Sequence, residues 1–136
     1  MKHLFAPVLV QFAMTMGLLL ATGLSRTLAI RRRQVRIKDV ALGQNAWPPR
    51  VTQIGNSFHN QLEMPVFFML AIVFAFFTRD DSTLTLGLAW AYVALRIVHM
   101  LIHVTSNIVP VRFAVFALSN MVLAAMWIRA AVRFYS

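Results

Sequence analysis

Residues 60–77 read NQLEMPVFFMLAIVFAFF, so two polar residues, Asn60 and Glu63, stand at the mouth of a long apolar run. A second apolar stretch contains Arg96, His99 and His103. Polar and ionisable groups at membrane depth are costly, and they usually face a bundle interior or a water-filled cavity. These five residues therefore mark a candidate site.

Four apolar segments account for most of the chain. Each is long enough to cross roughly 30 Å of hydrocarbon as a helix. A helix satisfies its own backbone groups within lipid, and the short connections between the later segments favour antiparallel neighbours. We predict an all-α integral membrane protein, a four-helix up-down transmembrane bundle in one domain (1–136), with spans at about 5–30, 51–78, 82–105 and 111–134. In the turn before the third span, Asp81 or Ser82 is expected to cap the helix.

The composition agrees with a membrane protein. Of 136 residues, 60% are hydrophobic and 12% are charged, whereas about one-quarter of the residues in a soluble domain are charged. The chain contains no cysteine, which excludes a disulfide framework and a nucleophilic thiol of its own. Any sulfur nucleophile therefore has to come from a ligand.

The basic residues are concentrated in one loop. The formal net charge is +9, and seven of the thirteen Lys and Arg residues lie between Arg26 and Arg50. Basic residues that flank membrane spans set orientation and contact anionic head groups, so this distribution argues against a nucleic-acid partner. We expect the loop 31–50 to be cytoplasmic and both termini to be non-cytoplasmic, in the inner (plasma) membrane if the source is a bacterium.

With that orientation, the polar residues of the apolar segments converge on the cytoplasmic half of the bundle. Residues 96, 99 and 103 share one helical stripe, and residues 56, 59, 60 and 63 form a second stripe. Glu63 is expected to pair with Arg96 or Arg112. The arginines at this depth still outnumber Glu63, and this excess positive charge suits an anionic ligand.

Several short motifs resemble those of the MAPEG family, the membrane-associated proteins of eicosanoid and glutathione metabolism. They are Asn60-Gln61-Leu62-Glu63 followed by Pro65, Arg96-Ile97-Val98-His99, Pro110-Val111-Arg112 and, more weakly, Gly23-Leu24-Ser25-Arg26. The order, the spacing and the four-span plan agree over nearly the whole chain, which resembles a bacterial-type member.

The resemblance implies a homotrimer that binds glutathione between neighbouring subunits at the cytoplasmic side and acts on lipophilic electrophiles from the bilayer. Arg112 would be catalytic, because a nearby cation lowers the pKa of a thiol and the thiolate is the nucleophile. The residues that would hold glutathione are Arg26, Asn60, Glu63, Arg96, His99 and His103. The expected reaction is transfer, peroxidation or isomerisation.

The sequence also departs from the family pattern. Asn56 and His59 stand where glutathione-binding members often have Arg, and His103 stands where Tyr is common. Phe113 and Phe116 follow Arg112 where the prostaglandin-type enzyme has Ser and Tyr. These departures keep open a non-enzymatic role, either as a lipid-binding protein or as an accessory subunit of a membrane complex.

Two further interpretations remain open. His99 and His103 are spaced i, i+4, as are His59 and Glu63, so facing pairs could supply ligands for zinc, copper or iron. The excess of arginine disfavours a bound cation, and we therefore assign no metal ligand. The polar residues could also be no more than hydrogen-bonding contacts between helices.

Overall fold

The computed structural model describes residues 2–43 and 46–135, which form five α-helices and two single-turn 3-10 helices. The 3-10 helices are Lys2–Leu4, which leads into the first α-helix, and Ile37–Asp39 in the basic loop. The α-helices are α1 (Phe5–Arg31), α2 (Pro49–His59), α3 (Met64–Phe77), α4 (Thr83–Val104) and α5 (Val109–Tyr135).

Four helical segments are long and apolar enough to cross a membrane. They are Lys2–Arg31, Pro49–Phe77, Thr83–Val104 and Val109–Tyr135. The described residues contain no strand. The prediction of an all-helical, four-span bundle is therefore confirmed.

The second segment is two helices rather than one. α2 ends at His59 and α3 begins at Met64, so the prediction of a single continuous stripe through residues 56, 59, 60 and 63 is wrong. Pro65 is the cause, because its ring clashes with the carbonyl four residues earlier and it has no N–H to donate. We call residues 60–63 the helix break.

The break is folded as a tight turn. The N–H of Gln61 donates to the carbonyl of Phe58 and that of Leu62 to the carbonyl of His59, both at 2.9 Å. This tightening leaves the backbone carbonyl of Asn60 available to another element. Irregular backbone inside a membrane span persists only where protein or a water-filled cavity covers it, so the break needs a partner.

α3 ends, and α4 begins, in well-defined caps. Arg79 adopts φ 51°, and the N–H groups of Arg79 and Asp80 donate to the carbonyls of Phe76 and Ala75, the pattern of a Schellman motif. The Ser82 hydroxyl then accepts from the Thr85 N–H at 3.3 Å. Of the two caps predicted for this helix, Ser82 is the one observed.

The main core lies between α3, α4 and α5. Phe68 stacks on Tyr92 with ring centroids 4.7 Å apart, and both side chains are fully buried. Leu4 packs against the same core from the chain's beginning. Many large apolar side chains on the outer faces remain exposed, as expected for surfaces that meet lipid or a second copy of the chain.

The start of α2 lies beside the end of α4. The Arg50 guanidinium donates to the carbonyl of Val104, and the Gln53 side chain donates to the carbonyl of His103 at 2.7 Å. Here α1 ends and α5 begins as well, so we call this the loop end of the bundle. The helix break and α4 residues 96–103 lie in the half of the bundle nearest the loop end.

Candidate functional site

Arg96 is the partner of the helix break. Its side chain is 0% exposed, and its Nη2 donates to the backbone carbonyl of Asn60 at 2.6 Å. The other two guanidinium nitrogens, Nε and Nη1, are buried and have no hydrogen-bond partner among the described residues. Phe116 of α5 lies under the guanidinium, with its ring centroid 5.9 Å from Cζ. A buried cation with unused donors is expensive unless something else uses them.

A cavity of about 170 Å³ lies beside Asn60 and Phe116, the two residues that Arg96 contacts, although Arg96 itself does not line it. Asn60, His99 and Arg112 form its polar wall, and Val109, Phe113 and Phe116 form its apolar wall. The polar groups come from three different elements: the helix break, α4 and α5. Three residues that the sequence singled out far apart are thus brought together at one cavity.

Arg112 is oriented by the connection between α4 and α5. Its guanidinium donates to the Oδ1 atom of Asn107, a residue in the left-handed region with φ 50°. Asn107 was not predicted to have a role, although a polar residue in so short a connection is well placed to accept a hydrogen bond from the first arginine of the next helix. The contact uses the Nη1 atom of Arg112 and holds the side chain at the cavity wall.

Glu63 does not pair as expected. Within the described chain it forms no salt bridge with Arg96 or Arg112, and its side chain is exposed. The expectation treated residues 60–63 as helix, whereas the break turns Glu63 outward and leaves the Asn60 carbonyl to Arg96. The positive charge at the cavity is therefore not neutralised by this carboxylate in direct contact.

The two histidines of α4 form a buried pair. His99 and His103 are each 3% exposed, and their ring centroids are 5.8 Å apart in an edge-to-face arrangement. His99 also packs against Phe116, with centroids 5.7 Å apart. The Nδ1 atoms of both rings are buried and lack a hydrogen-bond partner in the described part of the chain.

Comparison with known proteins assigns the chain to a family. The MAPEG family model matches residues 4–132, nearly all of the sequence. The chain belongs to the MAPEG family. No curated protein and no solved structure matches it significantly. Membership and the four spans together make the chain an integral membrane protein in contact with the bilayer, in a family whose members include glutathione-dependent enzymes.

Arg26 of this MAPEG protein does not line the cavity. Arg26 lies on α1 and points toward the beginning of α2, where its guanidinium covers the Trp47 ring with Cζ 5.2 Å from the ring centroid. Gly55 of α2 lies against it, because a Cβ there would stand 3.5 Å from Arg26 Nη2, an ordinary contact distance. A role for Arg26 at this cavity therefore requires a second copy of the chain.

The metal interpretation gains no support from the MAPEG protein's geometry. Among residues 2–43 and 46–135, no group of three or more His, Asp or Glu side chains is arranged to hold a metal ion. His59 and Glu63 are exposed, whereas His99 and His103 are buried. The pair His59 and Glu63 and the pair His99 and His103 therefore do not form one set of metal ligands.

A second polar cluster lies at the opposite end of the MAPEG bundle and was not anticipated. Asp80 is paired with Arg129 at 2.8 Å and accepts from the Thr85 hydroxyl at 2.7 Å. Burial by itself raises the pKa of Asp80, but hydrogen bonds from Arg129, Thr85 and Ser82 outweigh it and hold this pKa well below its usual range. The cluster ties the α3–α4 turn to α5.

Proposed function

We propose that this MAPEG protein binds glutathione at the cavity beside Arg96 and joins the glutathione sulfur, with the tripeptide attached, to a lipophilic electrophile. The observation that carries the proposal is Arg96 itself, a fully buried guanidinium with two unpartnered nitrogens. Glutathione has two carboxylates, and arginine is well suited to bind them in charge-assisted, often bidentate hydrogen bonds. An anionic peptide would explain both the unused donors and the excess positive charge.

In this proposal the polar residues have different roles. Asn60 and Arg96 hold the peptide, and His99 stands in the cavity wall, whereas His103 and Glu63 lie outside the lining that one subunit provides. Arg112 faces the thiol, where its cation stabilises the thiolate that attacks the electrophile. Depending on the electrophile, the same thiolate supports transfer, peroxidation or isomerisation.

The size of the cavity supports a shared site. Its volume of about 170 Å³ is below the roughly 300–1,000 Å³ of typical small-molecule pockets. One subunit therefore supplies part of the site, and a neighbouring copy would complete it in the homotrimer that we propose. Arg26, which lies elsewhere in its own subunit, would reach glutathione only across such an interface.

An apolar groove supports a lipophilic second substrate. The groove, about 530 Å³, is lined by Met64 and Phe67 of α3 and by Asn120, Leu123, Ala124 and Trp127 of α5. Phe116 of the cavity wall and Asn120 of the groove are one helical turn apart on α5. A chain lying in the groove would bring its end to the thiol.

The same groove favours a second candidate function, which is lipid binding without catalysis. Phe113 and Phe116 also make the cavity wall next to Arg112 apolar. An acyl chain could therefore occupy both the groove and this wall in the absence of glutathione. This candidate predicts no thiol conjugation by the wild-type protein, so one assay separates the two functions.

The test is conjugation of a chromogenic electrophile with glutathione in detergent or nanodiscs. Arg112→Ala should lower kcat about 10²-fold, the usual effect of removing one charge-stabilising donor, while light scattering shows an unchanged oligomer. Arg36→Ala is the matched control, because Arg36 is exposed in the basic loop and paired with Asp39. Wild-type rates in Arg112→Ala, or no conjugation by the wild type, would contradict the proposal.

A further inference from the structure

The buried histidine pair offers a base beside the proposed thiol position. His99 lines the cavity together with Arg112, so a sulfur placed between them contacts a cation on one side and an imidazole on the other. Imidazole is the side chain best suited to exchange protons near neutral pH. Arg112 stabilises a thiolate, but an arginine cannot accept the proton that the thiol must lose.

We propose that His99 is the proton acceptor for the bound thiol and that His103 carries the proton onward to the loop end. The proposal rests on the glutathione function above and adds a catalytic residue to it. His99 would touch the reacting S–H group, and His103 would act through His99.

The arrangement of the pair supports a relay. The rings are 5.8 Å apart between centroids, a gap that ring rotation or one bridging water spans. Both Nδ1 atoms are buried and unpartnered within the described residues, so no protein group there competes for a proton. His103 lies two residues before Thr105, the exposed residue that caps the end of α4. A proton on His103 is therefore within one helical turn of the aqueous boundary.

The charged groups around the pair come from every neighbouring element. Arg96 lies on α4 itself and Arg112 on α5, while Glu63 belongs to the helix break. Arg50 of α2 contacts the end of α4 through the Val104 carbonyl. Arg96 and Arg112 are the two cations that act on both rings, and their charge favours passing a proton on over storing it.

The step balances without an added oxidant or reductant. The S–H bond breaks, its electron pair stays on sulfur, and the proton moves to an imidazole nitrogen of His99. With an activated alkene as electrophile, a C–S bond forms and the alkene electrons move onto its carbonyl oxygen. A proton returned through the histidine pair then completes the addition.

Stopped-flow absorbance of the glutathione thiolate tests the relay in the purified oligomer. His99→Gln and His103→Gln should each slow thiolate formation at least tenfold, and free imidazole in the buffer should restore part of the rate. Calorimetry should show that the Kd for glutathione stays within about threefold of the wild-type value, a difference of less than about 1 kcal/mol in binding free energy. His59→Gln is the matched control, because His59 is exposed and does not line the cavity.

The outcomes separate the relay from the function that it serves. If both variants bind glutathione and form thiolate at the wild-type rate, the relay is wrong and the glutathione function stands. If either variant loses glutathione binding, the histidine holds the ligand and the proton role is wrong. If the wild type binds no glutathione, both proposals fail.

A second measurement needs no substitution and covers the case in which a variant fails to fold. Infrared difference spectra of wild-type protein with ring-labelled histidine should show a transient imidazolium band as thiolate appears. Thiolate formation without that band would overturn the relay.

Discussion

The guanidinium of Arg96 on α4 holds the backbone carbonyl of Asn60, 36 residues earlier, at 2.6 Å. This contact joins fold and site, because the carbonyl that the helix break releases is satisfied by the arginine whose remaining nitrogens are unpartnered. A break at this point without Arg96 would bury an unpaired acceptor, which costs about 1–3 kcal/mol. The same residue thus stabilises the irregular backbone and places a buried positive charge behind Asn60 and Phe116, which line the cavity.

The first prediction separates the backbone of Asn60 from its side chain. In Asn60→Ala the carbonyl still accepts from Arg96, and only an exposed side-chain contact to the Asn56 carbonyl is lost. The melting temperature should therefore change little, whereas the Kd for glutathione should rise about fivefold, the value of one neutral hydrogen bond. Unchanged affinity combined with marked destabilisation would show that the side chain serves the fold and not the ligand.

The second prediction concerns a buried amide pair between α1 and the helix break. Gln11 Nε2 donates to Gln61 Oε1 at 2.9 Å, and the two side chains are 0% and 2% exposed. Gln11→Leu should cost about 1–3 kcal/mol, because it leaves the Gln61 amide unpaired. Adding Gln61→Leu should recover most of that loss, since both polar groups are then gone.

Unfolding in mixed micelles measures this cycle. Gln34→Leu serves as the control, because Gln34 is exposed in the basic loop. If the two losses simply add in the double variant, the amides act independently and the contact has no role in docking α1 on the break.

The third prediction is a pH dependence of stability at the opposite end of the bundle. Hydrogen bonds to Asp80 lower its folded pKa below the unfolded value of about 3.9. A carboxyl group whose pKa is lowered on folding stabilises the folded state at pH values above its unfolded pKa. This contribution is lost as the pH falls through the folded pKa. Wild-type stability should therefore decline below about pH 4.

Asp80→Asn should remove this contribution at neutral pH, about 2 kcal/mol for hydrogen bonds to a charged group, and flatten the acid limb. Thermal unfolding from pH 3 to pH 8 reports both effects. Asp39→Asn is the matched control, since its ion pair with Arg36 is exposed and such pairs contribute little. A curve for Asp80→Asn that parallels the wild-type curve would assign the acid sensitivity to another group.

The architecture could be predicted from the sequence because apolar length and basic-loop charge are local quantities. Apolar segments of more than about 20 residues cross lipid as α-helices. Residues 96, 99 and 103 then lie on one face of their helix because of their spacing. Asn60, His99 and Arg112 were expected to converge, and the cavity brings them together.

Contacts that depend on tertiary structure could not be predicted in the same way. The second span was predicted as one helix despite Pro65, and the irregular backbone before this proline is tolerable only because Arg96 approaches from another helix. The prediction that Glu63 pairs with an arginine rested on charge alone. In the structure Glu63 lies in the helix break and its side chain is exposed. The Asp80–Arg129 pair joins residues 49 apart, and no spacing rule connects them.

The measurement that tests the central claim most directly is calorimetric titration of glutathione into the purified wild-type protein and Arg96→Ala. We predict saturable binding to the wild type and at least a tenfold loss of affinity in the variant, because a hydrogen bond to a charged group contributes about 1.5–3 kcal/mol. Arg36→Ala should bind as the wild type does. Absent binding to the wild type, or equal affinity in Arg96→Ala, would contradict the account.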